Sequence, residues 1–262
     1  MLNLVVLGLV QGLTEYLPVS STAHLLFAEH FLGVRRPGLV LEAVLHLGTA
    51  AAAVALFRAD LVRLARGAVA WVAGRRADPY ARPAAAVVVA TAVTAALGLA
   101  FASPLERLFA SVRGTAAQLI VTGVILLWQR ERGQRGLTDA TPLDGVALGV
   151  AQAAAIVPGI SRSGITIVAG LALGLRRAEA ARLSFLMAVP AIVGASLFSL
   201  RDLDRVADAG INVADLAAGF GVAAAVGAGA IVWVMQFVRQ GRLAWFGVYC
   251  WIVGLAVLAT VR

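Results

Sequence analysis

Lysine is absent from this chain and cysteine occurs once, as Cys250. A single thiol allows no internal disulfide, and no second cysteine stands at metal-ligand spacing. Without lysine, every basic residue is an arginine, a choice that carries no chemistry by itself. Charge of either sign is scarce: 14% of residues are charged, where a soluble domain carries about 25%. With 61% hydrophobic residues over a length of 262, the chain reads as an integral membrane protein. The short alternating segments of an outer-membrane barrel are missing, so the spanning elements are expected to be helices. The first segment has no basic leader and no small-residue cleavage site, and is expected to be retained. A net charge of +8 would suit nucleic acid, but in a polytopic protein flanking arginines set topology. The expected partner is therefore the lipid bilayer, with no nucleic acid.

Six stretches are long enough to cross: 39–57, 84–103, 114–129, 183–200, 213–238 and 243–261. Two further apolar segments are interrupted, residues 1–32 at Pro18 and residues 143–175 at Pro158-Gly159. Arg58, Arg63, Arg66, Arg75, Arg76 and Arg82, against Asp60 and Asp78, place the 58–82 loop in the cytoplasm. Arg130, Arg132 and Arg135 fall on the same side, as do Arg239 and Arg242. The 201–212 loop balances Arg201 and Arg205 against Asp202, Asp204 and Asp208 and fits the outside. Residues 143–175 must then enter and leave by the cytoplasmic face, because Arg176, Arg177 and Arg182 precede a single span to the outer loop. By the same count residues 33–38 lie outside and 1–32 dip in from the outer face, although Arg35 and Arg36 oppose this. The expected fold is an all-α polytopic membrane protein: six transmembrane helices plus two re-entrant helical hairpins in an inverted-topology repeat. It forms one membrane domain, repeat 1 covering about 1–129 and repeat 2 about 143–262.

The two breaks concentrate the polar residues. A carboxylate or guanidinium at the centre of a membrane helix costs about 3 kcal/mol on insertion scales, so such groups are rarely idle. Gln11 and Glu15, four apart, share a helix face. They suit a divalent cation, a hydrogen bond that orients a histidine, or a polar packing pair. Pro18 should end the helix, and Ser20, Ser21 or Thr22 can cap the next, from Ala23 to about Phe31. His24 lies within helical reach of Ser20 and Ser21, the minimal arrangement for a nucleophilic hydroxyl, with Glu15 as orienter. In the second break Arg162 is flanked by Ser161 and Ser163, with Thr166 a turn later. Its planar fork suits phosphate oxygens, and Gly159 and Gly164 allow close backbone approach. Helices starting near Gly164 and after Ser20 would add positive N-terminal ends, making an anion site. The plainer alternative for Arg162 is an ion pair with Glu15 across the repeat interface. Glu42 and His46, four apart at the start of a span, suit a pocket mouth or packing.

These residues resemble the bacterial undecaprenyl-diphosphate phosphatases of the UppP/BacA family. The first family motif stands here as Gln11, Glu15, Pro18-Val19-Ser20-Ser21-Thr22 and His24. The second stands as Pro158-Gly159-Ile160-Ser161-Arg162-Ser163-Gly164-Ile165-Thr166, and Ser184-Phe185-Leu186-Met187-Ala188-Val189-Pro190 is also similar. Position 11 is Gln, which removes one carboxylate, and Ala23 stands where glycine is frequent. The resemblance implies hydrolysis of a polyprenyl diphosphate lipid at a site opening to the extracytoplasmic side of the bacterial plasma membrane. It implies Ser21 as nucleophile and His24 as general base, or His24 itself as nucleophile. Glu15 would hold His24 or, with Gln11, a divalent cation, Mg²⁺ or Ca²⁺. Arg162, with Ser20, Thr22, Gly159, Ser161, Ser163 and Thr166, would hold the phosphates. A homodimer is left open. An inverted repeat with midplane polar groups also fits a transporter or flippase of polyprenyl phosphate. An acid-phosphatase-like lipid phosphatase is excluded: it needs a lysine, and Val168 stands where its histidine would fall.

Overall fold

The computed structural model describes residues 2–33, 39–108, 111–130, 133–199 and 213–261. The loop charges at Arg35, Arg36, Arg132 and 201–212 lie outside these residues. Eleven α-helices carry the described fold: α1 Leu2–Thr14, α2 Ser21–Leu32, α3 Leu39–Leu56, α4 Arg58–Val72, α5 Ala81–Leu108 and α6 Val112–Leu127, then α7 Pro142–Ala154, α8 Arg162–Ala172, α9 Arg177–Ser199, α10 Val213–Arg239 and α11 Ala244–Thr260. Among the described residues the only strand-like pairing is an isolated bridge between Arg135 and Leu175.

Among the described residues three helices are long and apolar enough to cross a membrane, within α5, α9 and α10. A fourth candidate is α3 with α4, bent by 86° at Phe57. The arginine-rich stretch expected as loop is thus helical. It is amphipathic, burying Asp60, Leu64, Gly67 and Ala70 while Val62, Val69 and Val72 stay exposed. Lying across the end of α3, it suits the bilayer interface. Asp60 is held by Arg182 of α9, which donates through Nε at 2.8 Å and Nη2 at 2.5 Å.

The two broken segments form helical hairpins, α1–α2 and α7–α8. Both ends of the second hairpin meet. The Arg135 amide donates to the Gly174 carbonyl, and the Arg176 amide donates back to Arg135, each at 3.0 Å. The Arg135 guanidinium also reaches Asp144 at 2.6 and 3.1 Å and the Leu173 carbonyl at 2.7 Å. Asp144 doubles as the N3 partner in the Thr141 capping box that starts α7.

Each hairpin packs its first helix on the opposite half of the chain: α1 on α10, and α7 on α5. Both contacts use a Gly-x-x-x-Gly spacing, Gly8 and Gly12 on α1 and Gly145 and Gly149 on α7, which lets backbones approach closely. A Cβ at Gly145 would stand 2.4 Å from the Ala86 carbonyl oxygen, and one at Gly8 2.7 Å from that of Gly219. Gly145→Val is accordingly expected to destabilise the protein by about 1–3 kcal/mol through overpacking. Thermal unfolding in detergent checks this, and an unchanged midpoint would contradict the tight α5–α7 contact.

Candidate active site

The chain breaks bring both motifs to one cavity of about 330 Å³ between the halves. In the first hairpin, Ser20 takes a positive φ of 66°, an uncommon conformation for a residue with a Cβ. It acts as N-cap, so α2 starts at Ser21, two residues earlier than the periodicity implies. In the second, Gly159 has φ 94° and a Cβ there would lie 2.3 Å from the Thr115 carbonyl, so only glycine fits. Thr122 of α6 pins this turn. Its hydroxyl donates to the Gly159 carbonyl at 2.7 Å and accepts from the Ser161 amide at 3.0 Å. Ser161 caps α8, accepting from the Gly164 amide at 3.1 Å. The first residues of α2 and α8 both line the cavity, giving it two positive helix ends.

Glu15 is the hub. The amide of Gln11 donates to its Oε2 at 2.8 Å and Ser21 Oγ to the same atom at 2.7 Å. The guanidinium of Arg162 donates to Oε1, joining the two halves through a buried ion pair. His46 of α3 brings Nε2 to 3.5 Å from Oε2. Its Nδ1 lies 2.7 Å from the Glu42 carbonyl oxygen. An imidazole nitrogen facing a carbonyl carries the proton, so Nε2 is the nitrogen turned to the carboxylate. The Arg162–Glu15 ion pair weighed from sequence is therefore present, and it coexists with a hydroxyl on the same carboxylate.

His24 is placed differently from the sequence expectation. Its Nδ1 is 2.9 Å from the Ser20 carbonyl oxygen and its Nε2 is 2.8 Å from the Tyr249 hydroxyl. The imidazole also stacks on the Tyr249 ring, with centroids 5.6 Å apart. Both nitrogens are engaged away from Ser21 and Glu15. Tyr249, on the last helix and 225 residues along the chain, had no local signal.

The remaining hydroxyls divide. Ser20, Ser21, Thr22 and Ser161 line the cavity. Ser163 donates to the Leu17 carbonyl at 2.9 Å, tying one hairpin to the other. Thr166 donates to the Arg162 carbonyl at 2.7 Å and pairs with Ser184 of α9 at the same distance. Neither lines the cavity, nor does Gly159; all three shape the second hairpin. The far wall holds Thr94 of α5 and Gln152 of α7, linked at 3.1 Å.

The expected divalent cation meets a thin donor set. Among the described residues no group of three His, Cys, Asp or Glu is arranged to hold a metal. Gln11 Oε1, however, is buried without a hydrogen-bond partner, on the side chain that already contacts Glu15. One carboxylate plus one amide oxygen fits Mg²⁺ only where substrate phosphates complete the shell, a common arrangement for this ion. Gln11→Glu is expected to tighten Mg²⁺ binding by about tenfold in the presence of a non-hydrolysable diphosphate, since site charge tunes affinity. Calorimetric titration of Mg²⁺ measures this directly, and an unaltered isotherm would remove position 11 from the ion's ligands.

Comparison with known proteins adds a family. Residues 4–256 match the family model described as "Bacitracin resistance protein BacA". The chain is 38% identical over 258 residues to the undecaprenyl-diphosphatase of Carboxydothermus hydrogenoformans, covering 97% of this chain and 94% of that protein. To the undecaprenyl-diphosphatase of Desulfosudis oleivorans it is 44% identical over 263 residues, covering 95% and 94%. To that of Methanobrevibacter smithii it is 40% identical over 265 residues, covering 97% and 95%.

Proposed function

The chain belongs to the bacitracin resistance protein BacA family, and from that premise we propose that it hydrolyses undecaprenyl diphosphate to undecaprenyl phosphate and inorganic phosphate. The carrier lipid would thereby return to peptidoglycan and cell-wall polymer synthesis. The observation that carries this reading is a hydroxyl and a guanidinium on the two oxygens of one buried carboxylate.

In this reading Ser21 Oγ attacks the terminal phosphorus and its proton passes to Glu15, on which it is already hydrogen-bonded. The bond from phosphorus to the bridging oxygen breaks, and polyprenyl phosphate leaves. Water then cleaves the phosphoserine. Arg162 and the two helix ends stabilise charge spread over the phosphoryl oxygens, the main demand of phosphoryl transfer. Ser161 and Thr22 add donors at the cavity wall. A divalent cation, held by Glu15 and Gln11 with the diphosphate, would neutralise charge on the departing phosphate. His46 stands beside the carboxylate that receives the proton, whereas His24 anchors the start of α2 to Tyr249.

The topology proposed with it has α3, α5, α6, α9, α10 and α11 crossing the bacterial plasma membrane. The α1–α2 and α7–α8 hairpins enter from opposite faces. The joined ends of the second hairpin and the reciprocal packing of α1 and α7 support this inverted repeat. The site then opens to the extracytoplasmic side.

The deciding experiment is phosphate release from a C55 polyprenyl diphosphate by the purified chain, with and without chelator. Release that falls on chelation and returns with Mg²⁺ is expected. No release in any condition would overturn the enzyme reading, and lipid movement in vesicles without release would favour a carrier.

A further inference from the structure

The reaction leaves a second cavity unused. It has a volume of about 810 Å³, within the range of small-molecule sites, and its walls include Leu17, Val19, Trp233, Phe237, Phe246 and Arg242. Three of its rings form a closed cluster, Trp233 to Phe237 at 4.6 Å and Phe246 to each of them at 5.7 Å. Arg242 follows α10 in the short turn before α11, and its side chain makes no hydrogen bond or ion pair among the described residues. An apolar, ring-walled cavity with one uncommitted guanidinium matches an anionic amphiphile: chain against the rings, head on the cation.

The position narrows the choice of amphiphile. Leu17 and Val19 of the first chain break wall this cavity, while Ser20 and Ser21, the next residues, wall the catalytic one. His24 joins the two, resting on the Ser20 carbonyl and on Tyr249, itself a wall residue of the second cavity. We propose that this cavity is a second lipid site, which holds a polyprenyl monophosphate by its isoprenoid chain with the phosphate on Arg242. The identity of the lipid rests on the proposed phosphatase reaction, whose product it is. Planar unsaturated units stack on ring faces, and a phosphate monoester takes the guanidinium fork through two oxygens.

The test is photo-labelling of the full chain in detergent with a polyprenyl monophosphate carrying a diazirine on its chain, followed by peptide mapping. Label is expected within residues 233–249, about tenfold lower in Arg242→Gln, the scale of one lost charged hydrogen bond. Arg242→Lys should keep most of it, and Leu17→Trp, which fills the cavity, should lose it even if Arg242→Gln folds poorly. Label in this segment should survive Arg162→Ala, which removes the catalytic anion site. Labelling unchanged by both Arg242→Gln and Leu17→Trp, or abolished in Arg162→Ala protein whose circular dichroism matches that of wild type, overturns the inference. So does displacement by a large excess of phosphatidylglycerol, which would mark a site for bulk lipid. Phosphate release from the diphosphate is measured on the same wild-type sample. Its absence would overturn the phosphatase reading alone, since the labelling pattern is read independently of turnover.

Discussion

Ser21→Ala is expected to reduce phosphate release by about 10⁴-fold or more, because a covalent route ends when its nucleophile is removed. The loss should fall on kcat with little change in KM, since Arg162 and both helix ends remain to bind the diphosphate. Rapid acid quench of wild type should trap phosphate on Ser21. Phosphate trapped on His24 would transfer the nucleophile's role to that ring, and a Ser21→Ala protein with near-normal release would end the covalent scheme. Ser20→Ala offers a contrast. Ser20 caps α2 and contacts neither Glu15 nor Arg162 by a side-chain bond, so its loss should cost stability, about 1 kcal/mol, more than rate.

Arg162→Ala is expected to lower kcat by about 10³-fold, the lower range for an arginine that stabilises a transferring phosphoryl group. Two effects combine. The transition state loses its cation, and Glu15 loses its ion-pair partner while remaining buried with Gln11, Ser21 and His46 around it. Removing one member of a buried pair is strongly destabilising, by about 3–5 kcal/mol, so a lower unfolding midpoint should accompany the rate loss. Arg162→Lys separates the two: it restores a positive charge but not the planar fork. Stability should recover further than rate. Full recovery of both would show that only net charge matters at this position.

The hairpins and the helices over all six predicted stretches were legible because their signals are local. Proline ended the helices, serine capped the next ones, and arginine counting limited how many times the chain could cross. The stretch after Phe57 reads as loop in sequence because arginine density masks a helical face. Its buried set of Asp60, Leu64, Gly67 and Ala70 emerges only against α5 and α9. In the site, the Glu15–Arg162 pairing followed from supposing that the two chain breaks meet, and these two side chains do. Glu42 and His46 line the cavity, as one reading of their spacing has it, but the contacts of the histidines did not follow. Spacing put His24 within reach of Ser21, but the ring is held by Tyr249 from the last helix. His46 reaches Glu15 from a third element, α3, which no spacing rule connects to the first break. Local pattern reports what one helix face presents; which faces converge depends on how the helices pack.

That packing has a consequence for biosynthesis. The partner of α1 is α10, so Leu2–Thr14 docks against a helix that is not made until residue 213 and beyond. The glycine face of α1 therefore stays uncovered until α10 has been made, whereas Glu15 lacks its counter-ion only until Arg162 has been. Contacts so distant in the chain slow folding. A nascent chain stalled before residue 213 should be recognised by membrane quality control as an unfinished protein, however many of its segments have already been inserted.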